Sequence, residues 1–214
     1  NIEKTSLGSK SGIEFAKSLS SNKILKKLDI SYNRLGDNAG ELIGVALGKN
    51  TTLKELTMIQ TGLGTKSGTA IGTSLNEGGL TKLDISYNML RDDAGELIGK
   101  ALCKNTRLKE LTMVQSSLGT KCGIAIGTSL SSNKILTKLD ISNNGLDDAA
   151  GKLIGNALLK NTTLKELTIR NTGLMEKSGI SFLMSIPVNQ TMTKLDISQN
   201  DLISDVNIDE QMLA

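Results

Sequence analysis

The hexapeptide LDISYN occurs twice, at residues 28–33 and 83–88, and places an Asp, a Ser, a Tyr and an Asn close together. Carboxylates and hydroxyls at such short spacing could serve general acid–base or nucleophilic chemistry. The chain contains no His, so the side chain that most often transfers protons near neutral pH and binds metals is missing. A catalytic group is usually unique in its protein, whereas these groups recur along the chain. We therefore expect no catalytic residue, metal or cofactor, and interpret LDISYN as structural.

An internal repeat accounts for this recurrence and covers essentially the whole chain. Leucines return every 28 residues, with a single step of 27, at Leu28, Leu56, Leu83, Leu111, Leu139, Leu167 and Leu195. The short step coincides with NEGGL at residues 76–80, where we infer a one-residue loop deletion. The repeat predicts a single domain over residues 1–214: a partial repeat at 1–19, regular repeats at 20–202 and an atypical end at 203–214.

The hydrophobic period changes within each repeat. LKKLDIS, at residues 25–31, alternates with period two, which predicts a short strand. The apolar residues that follow form one face of a predicted helix with Asp37 as its N-terminal cap: Ala39, Leu42, Ile43, Ala46 and Leu47. A strand and a helix this short cannot bury an apolar face alone, but stacked copies can. The pattern therefore predicts an α/β solenoid with a parallel sheet on one side and helices on the other.

The repeat consensus, LxxLDISxNxLxDxAGxLIGxALxKNT, resembles the leucine-rich repeat of the ribonuclease-inhibitor type. The resemblance covers about seven full or partial units, and the motif is specific. It implies a horseshoe of about 7–8 repeats, with the parallel β-sheet on the concave face and the α-helices on the convex face. It also implies a protein that binds other proteins and sometimes inhibits an enzyme by covering its active site.

Two kinds of repeat alternate along the chain. Type A carries LDIS and AGELIG, whereas type B carries LTM or LTI and, in most copies, LGTKSG or LGTKCG. One helix position is large in type A and small in type B, which predicts interdigitation of neighbouring layers: Leu42, Leu97 and Leu153 against Ala70, Ala125 and Ser181. A second position is glycine in six repeats and not in the last unit: Gly40, Gly68, Gly95, Gly123, Gly151 and Gly179. Because glycine costs about 1 kcal/mol relative to alanine in a helix, we interpret this position as one of close backbone approach.

Regular polar columns are predicted on the concave wall. The first alternates in charge: Lys27, Glu55, Lys82, Glu110, Lys138, Glu166 and Lys194. The second alternates Asp with Thr: Asp29, Thr57, Asp84, Thr112, Asp140, Thr168 and Asp196. Neighbouring strands lie about 4.8 Å apart, so these columns predict a self-neutralising lattice that sets strand register. Asn33, Asn88 and Asn144 recur where each strand turns into a loop, a place where asparagine bonds nearby backbone groups.

Binding residues are expected where the repeats differ. The only two tyrosines, Tyr32 and Tyr87, occupy one position in two type A repeats. We expect a partner-binding patch that also contains Arg34, Ile59, Gln60, Met89, Val114, Gln115 and Arg170. Exposed Tyr, Met and Arg beside apolar neighbours is the composition of an interaction hot spot. The alternative is that duplication copied the tyrosines and that Ile59 and Val114 are merely good strand formers.

The two cysteines align with different positions of the repeat. Cys103 falls near a helix end and Cys122 near a helix start, and their spacing fits no metal site. A thiol at a helix start can have a lowered pKa, but no His is present to act as its base. We expect both to be small buried or half-buried residues.

Composition narrows the class of partner. The net charge is +3, no run of like charge occurs, and aromatic residues make up 2% of the chain. We therefore expect a globular protein partner, no nucleic acid and no membrane, and a chain that is monomeric on its own. The start, NIEKTSLGSK, is not typical of a signal peptide, and cysteine-rich caps are absent. Both features favour a cytoplasmic setting, or the host cytoplasm if the chain is a secreted bacterial effector.

An alternative function is regulation of a GTPase. Ran GTPase-activating proteins are similar in repeat type, and this resemblance implies a small GTPase as the partner. Arg34 on a rim loop would then be the residue that stabilises the transferred phosphate.

Overall fold

Seven helices alternate with seven strands in the computed structural model, which describes residues 1–202. In chain order they are α1 (Ser9–Ser21), β1 (Lys27–Asp29), α2 (Gly36–Lys49), β2 (Glu55–Thr57), α3 (Thr65–Ser74), β3 (Lys82–Asp84), α4 (Arg91–Leu102), β4 (Glu110–Thr112), α5 (Thr120–Leu130), β5 (Lys138–Asp140), α6 (Asp147–Leu158), β6 (Glu166–Thr168), α7 (Glu176–Ser185) and β7 (Lys194–Asp196). The strands form one parallel sheet in the order β1 to β7. The predicted α/β solenoid is confirmed, and the predicted atypical end at 203–214 lies outside the described residues.

The sheet lies on the concave side because the two layers have different natural spacings. Paired strands lie about 4.8 Å apart, whereas packed helices need about 8–10 Å. Since every strand is joined to a helix, the stack bends around the sheet. Register matches the sequence alignment, so that Lys27 pairs with Glu55 and Leu28 with Leu56. The partial first repeat continues this ladder, because the amide of Ile2 donates to the carbonyl of Asp29.

The core is a continuous column that runs along the solenoid. Each repeat contributes one leucine from the strand, one Ile or Met just beyond it and one leucine from the following loop, as in Leu83, Ile85 and Leu90. All three are fully buried, and burial of each such side chain contributes roughly 2 kcal/mol. Neighbouring repeats enclose each layer, so no single repeat holds a core of its own.

Glycines set the distance between helices, as predicted. A Cβ at Gly68 would lie 2.7 Å from Cβ of Ala94, and one at Gly95 would lie 2.9 Å from Cβ of Cys122. A second glycine position lies one turn further along and was not singled out from the sequence. There, a Cβ at Gly72 would lie 2.9 Å from the amide nitrogen of Ile98. The helices therefore pack backbone against side chain at the first position and backbone against backbone at the second.

The structure gives the large and small helix residues other partners than the predicted interdigitation does. Five of these six residues, all except Leu42, pack against a glycine of the preceding helix, as Leu97 does with Gly72 and Ala125 with Gly99. Leu42 and Leu153 are moreover partly exposed. The face that turns to the core contains Ala39, Ile43, Ala46 and Leu47, and Leu42 lies beside it rather than on it.

The prediction that Asp37 caps its own helix is also wrong. Helix α2 begins at Gly36, and its own N-cap makes no side-chain hydrogen bond. The Asp37 carboxylate instead accepts hydrogen bonds from the amides of Gly64 (2.9 Å) and Ser67 (2.8 Å), at the N-terminus of α3. Asp92 and Asp148 do the same for α5 and α7. Each type A repeat therefore caps the helix of the type B repeat that follows it.

The cysteines differ in environment. Cys122 is buried, as expected, and burial raises the pKa of its thiol instead of lowering it. Cys103 is exposed, so the expectation of a buried or half-buried residue is wrong for this position. It follows directly after α4, where the chain turns away from the core into a surface loop.

Candidate protein-binding surface

The residue three positions after the last residue of each strand adopts a left-handed backbone conformation. Its φ is 55° in Tyr32 and 57° in Tyr87, and the equivalent residues Gln60, Gln115, Asn143, Asn171 and Gln199 are also positive. The amide of Tyr87 still donates to the carbonyl of Val114 (2.8 Å), so this conformation continues the inter-strand ladder. The next residue, Asn88, is buried, while the side chain of Tyr87 remains half exposed.

The asparagines of the turn are structural, as predicted. Asn88 donates from Nδ2 to the carbonyls of Met58, Ile85 and Ser86. Its Oδ1 accepts from the amides of Thr61 and Leu63 in the preceding repeat. One buried amide therefore satisfies five backbone groups and joins two repeats.

The Asp and Ser of LDISYN are structural too. Oδ1 of Asp84 accepts from the amide and the hydroxyl of Ser86, and the Ser86 hydroxyl accepts from the amide of Val114. Burial raises the pKa of Asp84, an effect that the bonds from Ser86 only partly offset. Among the polar residues of the hexapeptide, only the tyrosine has a side chain that makes no such hydrogen bond within the described residues.

The structure brings most of the predicted binding residues to one edge, where the strands end. Tyr32, Tyr87 and Met89 are 43%, 49% and 62% exposed. Together with Arg34, Gln60 and Gln115, which are also exposed, they form a surface that we call the tyrosine rim. Ile59 and Val114 lie between its members and are half-buried. The amide of each donates a hydrogen bond to a serine hydroxyl of the preceding repeat.

Arg170 lies apart from this surface. It belongs to the repeat of β6, beyond the type A repeat that contains Asn143. Its Nε is 3.7 Å from Oδ2 of Asp196, and the side chain is half-buried. Its place in the binding patch remains a prediction.

A groove opens at the first end of the tyrosine rim. It has a volume of about 410 Å³ and is lined by Tyr32, Arg34, Gly36, Gln60 and Gly62, among others. The ammonium group of Lys4 lies 4.9 Å from the centre of the Tyr32 ring, a cation–π contact that holds the ring. Sequence reasoning missed Lys4, although it precedes Tyr32 by one repeat length and therefore occupies the same column.

The described part of the chain contains neither a metal-binding cluster nor a helix that could span a membrane. Residues 1–202 contain no group of three or more His, Cys, Asp or Glu side chains arranged to hold a metal ion. None of the helices in the same range combines the length and apolar character needed to cross a bilayer.

Comparison with known proteins agrees with this architecture. A family profile described as leucine-rich repeat matches residues 19–44, 130–155 and 188–206. No curated protein matches the sequence significantly. The described chain therefore has a leucine-rich-repeat solenoid fold. The ribonuclease-inhibitor-like subtype and an origin as a bacterial effector remain predictions.

Several solved structures share the fold at low sequence identity. Leiomodin-1 actin-binding site 2 is 16% identical, covers 83% of this chain and 87% of its own, and has a TM-score of 0.53. An internalin from Listeria monocytogenes is 17% identical over 84% of this chain and 49% of its own, with a TM-score of 0.53. The tropomodulin C-terminal domain of Caenorhabditis elegans is 10% identical over 86% of this chain and 93% of its own, with a TM-score of 0.52.

Proposed function

We propose that the chain is a non-enzymatic interaction module that binds a globular protein through the tyrosine rim and the adjoining concave wall. The observation that carries the proposal is the place of Tyr32 and Tyr87 in left-handed backbone. Asparagine adopts this conformation more readily than an aromatic residue does, and Asn143 and Asn171 occupy the equivalent positions of later repeats. An aromatic side chain that is half exposed and costs backbone energy is typical of a functional position.

The size of the surface also supports a protein partner. A standard interface buries about 1,600 Å² in total, which needs several consecutive repeats. The tyrosine rim extends from the repeat of β1 to the repeat of β4. Two tyrosine anchors within it, each contributing about 2 kcal/mol or more, would carry much of the affinity.

The double variant Tyr32→Asn/Tyr87→Asn tests the proposal. Asparagine keeps the left-handed backbone and removes the aromatic anchors, so the partner is expected to bind more than about 100-fold more weakly while the fold survives. The measurement is affinity capture of the partner, followed by titration of the purified pair. Leu153→Asn/Ile180→Asn removes two exposed apolar side chains of the convex helices and serves as the control. Equal binding by the tyrosine variant and the intact chain would place the interface elsewhere.

Two defined probes can precede an unbiased search. Actin is one, because the leiomodin-1 domain that is named for actin binding has the same type of solenoid. An enzyme captured by the intact chain is another, and its activity in the bound state would reveal inhibition by coverage of the active site. We also propose that the partner is a cytoplasmic protein.

Regulation of a small GTPase is the alternative. Arg34 is exposed in the groove of the tyrosine rim and makes no ion pair with residues 1–202. An arginine placed this way could stabilise charge on a transferred phosphate. Acceleration of GTP hydrolysis that is lost in Arg34→Ala would favour this alternative over simple binding.

A further inference from the structure

The loops that lead from each helix to the next strand lie at the edge opposite the tyrosine rim. Three consecutive loops, at residues 103–109, 131–137 and 159–165, contain basic residues and no acidic residue. We call these residues the basic edge: Lys104, Arg107, Lys109, Lys134, Lys160 and Lys165. The repeat brings them side by side from positions about 28 residues apart in the sequence.

The cations of the basic edge are free. All six side chains are exposed, and none forms an ion pair with a described residue. The lysines of the neighbouring concave wall behave differently, because Lys82 and Lys138 pair with Glu110 and Glu166. The charge of the wall is therefore locally neutralised, whereas that of the edge is not.

Helix dipoles offset only part of the positive charge of the basic edge. Helices α4, α5 and α6 end at the basic edge, and each contributes roughly −0.5 of an elementary charge there. Together they would offset about one and a half of the six cations. The remaining excess is large enough to attract an anionic surface, although the net charge of the chain is only +3.

The chemistry of the edge favours lipid over nucleic acid. Five of its six cations are lysines, which act as point charges and do not form the bidentate contacts with which arginine reads bases. Its three loops contain no aromatic residue on which a base could stack. Aliphatic side chains accompany the lysines instead. Leu159 beside Lys160 is 37% exposed, and Ile24, in an earlier loop of the same edge, is 83% exposed.

From these features we propose that the basic edge docks on an anionic lipid bilayer. The lysines lie at the level of the lipid headgroups, and Leu159 and Ile24 enter the boundary between headgroups and acyl chains. The expectation of no membrane contact rested on the small net charge and on the absence of a run of like charge in the sequence, and neither describes how the fold gathers charge in space. Because the tyrosine rim lies at the opposite ends of the strands, the chain can hold a protein partner while it lies on a membrane.

Co-sedimentation with lipid vesicles tests the proposal. The intact chain is expected to bind vesicles of phosphatidylcholine mixed with phosphatidylserine and not vesicles of phosphatidylcholine alone. Lys104→Gln/Arg107→Gln/Lys109→Gln is expected to lower the partition coefficient about 100-fold at low salt. The control Lys10→Gln/Lys152→Gln/Lys177→Gln removes the same charge from exposed helix positions and is expected to bind as the intact chain does.

Three outcomes would overturn the proposal. One is no binding to phosphatidylserine vesicles at about 0.1 M salt or below, where the Debye length of about 10 Å still allows attraction. A second is an equal loss in the edge variant and the control, which would show attraction to overall charge. The third is tighter binding to duplex DNA than to vesicles, with the same dependence on the edge variant. Tyr32→Asn/Tyr87→Asn should bind vesicles normally, so failure of the protein-binding proposal remains distinguishable.

Discussion

Tyr87 adopts a backbone conformation that suits asparagine better than tyrosine. Left-handed backbone costs most side chains on the order of 1 kcal/mol, and β-branched residues more. The amide of this residue must still reach the next repeat, and the following Asn88 must turn inward to bond five backbone groups. Both requirements set the conformation, whichever side chain is present. Because the side chain at this position does not set the conformation, it can be one that binds a partner.

Substitutions at Tyr87 should therefore separate backbone strain from loss of the ring. Tyr87→Asn is expected to leave the free energy of unfolding unchanged within about 0.5 kcal/mol, whereas Tyr87→Val should lower it by about 1–2 kcal/mol. Urea denaturation of both variants provides the measurement. Equal midpoints for the two variants would show that the left-handed turn tolerates either side chain.

At the scale of elements, the type B helices are capped from the preceding repeat. The carboxylate of Asp148 accepts from the amides of Met175 and Ser178 and from the Ser178 hydroxyl. Burial alone would raise its pKa, but the bonds from Ser178 and Met175 outweigh burial and lower it. The pKa of Asp37 is lowered in the same way by Ser67, Gly64 and Lys66. These carboxylates bind the positive ends of helices α7 and α3 while they are charged.

Removal of a cap should cost stability. Asp148→Ala is expected to lower the free energy of unfolding by about 1 kcal/mol at neutral pH, the usual cost of losing a helix cap. Thermal or urea unfolding measures the change. Glu41→Ala, whose side chain makes no hydrogen bond within the described residues, is the control, and an equal loss in both would argue against a specific cap.

The same contacts predict a pH dependence. Because the folded-state pKa of Asp37 and Asp148 is lowered, their stabilisation is present above the unfolded value of about 3.9 and is lost as pH falls through the folded value. In the variant Asp37→Asn/Asp148→Asn, the unfolding midpoint should therefore decrease less between neutral and acidic pH than it does in the intact chain. An unchanged slope in this variant would assign the acid sensitivity to other carboxylates.

Across the whole molecule, the two kinds of interface between repeats differ. From type A to type B, contacts include ion pairs such as Lys27–Glu55 (2.7 Å), the Asp caps and the serine bonds to Ile59 and Val114. From type B to type A, the polar links include the turn asparagine, the helix-end asparagines that donate to carbonyls of the preceding helix, and the contact of Arg170 with Asp196. The expected alternating ladder is realised as these separate pairs, whose exposure limits what each contributes to stability. The structural unit is therefore an A–B pair.

Deletions can test this unit. Removing residues 82–137 takes out one A–B pair and preserves every type of junction, so the chain should unfold in a single cooperative transition. Removing residues 82–109 joins two type B repeats, places Glu55 opposite Glu110 and leaves α5 without Asp92. Two transitions are expected, because the new junction is weak. Circular dichroism during urea unfolding would record them, and one transition for the single-repeat deletion would contradict the pairing.

Much of the fold could be predicted from the sequence because residues that recur at the repeat spacing occupy equivalent packing positions. The strand leucines, the inward asparagines and the close-packed glycines recur at one spacing, and a regular stack gives each column one environment. Leu42 and Asp37 could not be assigned in this way. Their partners belong to the adjacent repeats, and helical periodicity within one repeat does not show which side of a residue the next helix covers.

The sequence by itself determined the solenoid, since a segment too short to bury its own apolar face must stack on copies of itself. It also determined the column that contains Tyr32 and Tyr87. Only the tertiary structure decided that this column is left-handed, that Ile59 and Val114 are half-buried, and that Arg170 lies apart beside Asp196. Only the stack, too, aligns lysines from distant loops along one edge. The exposure of a residue and the local density of charge depend on which residues lie close together in space, and the packing of the repeats decides that.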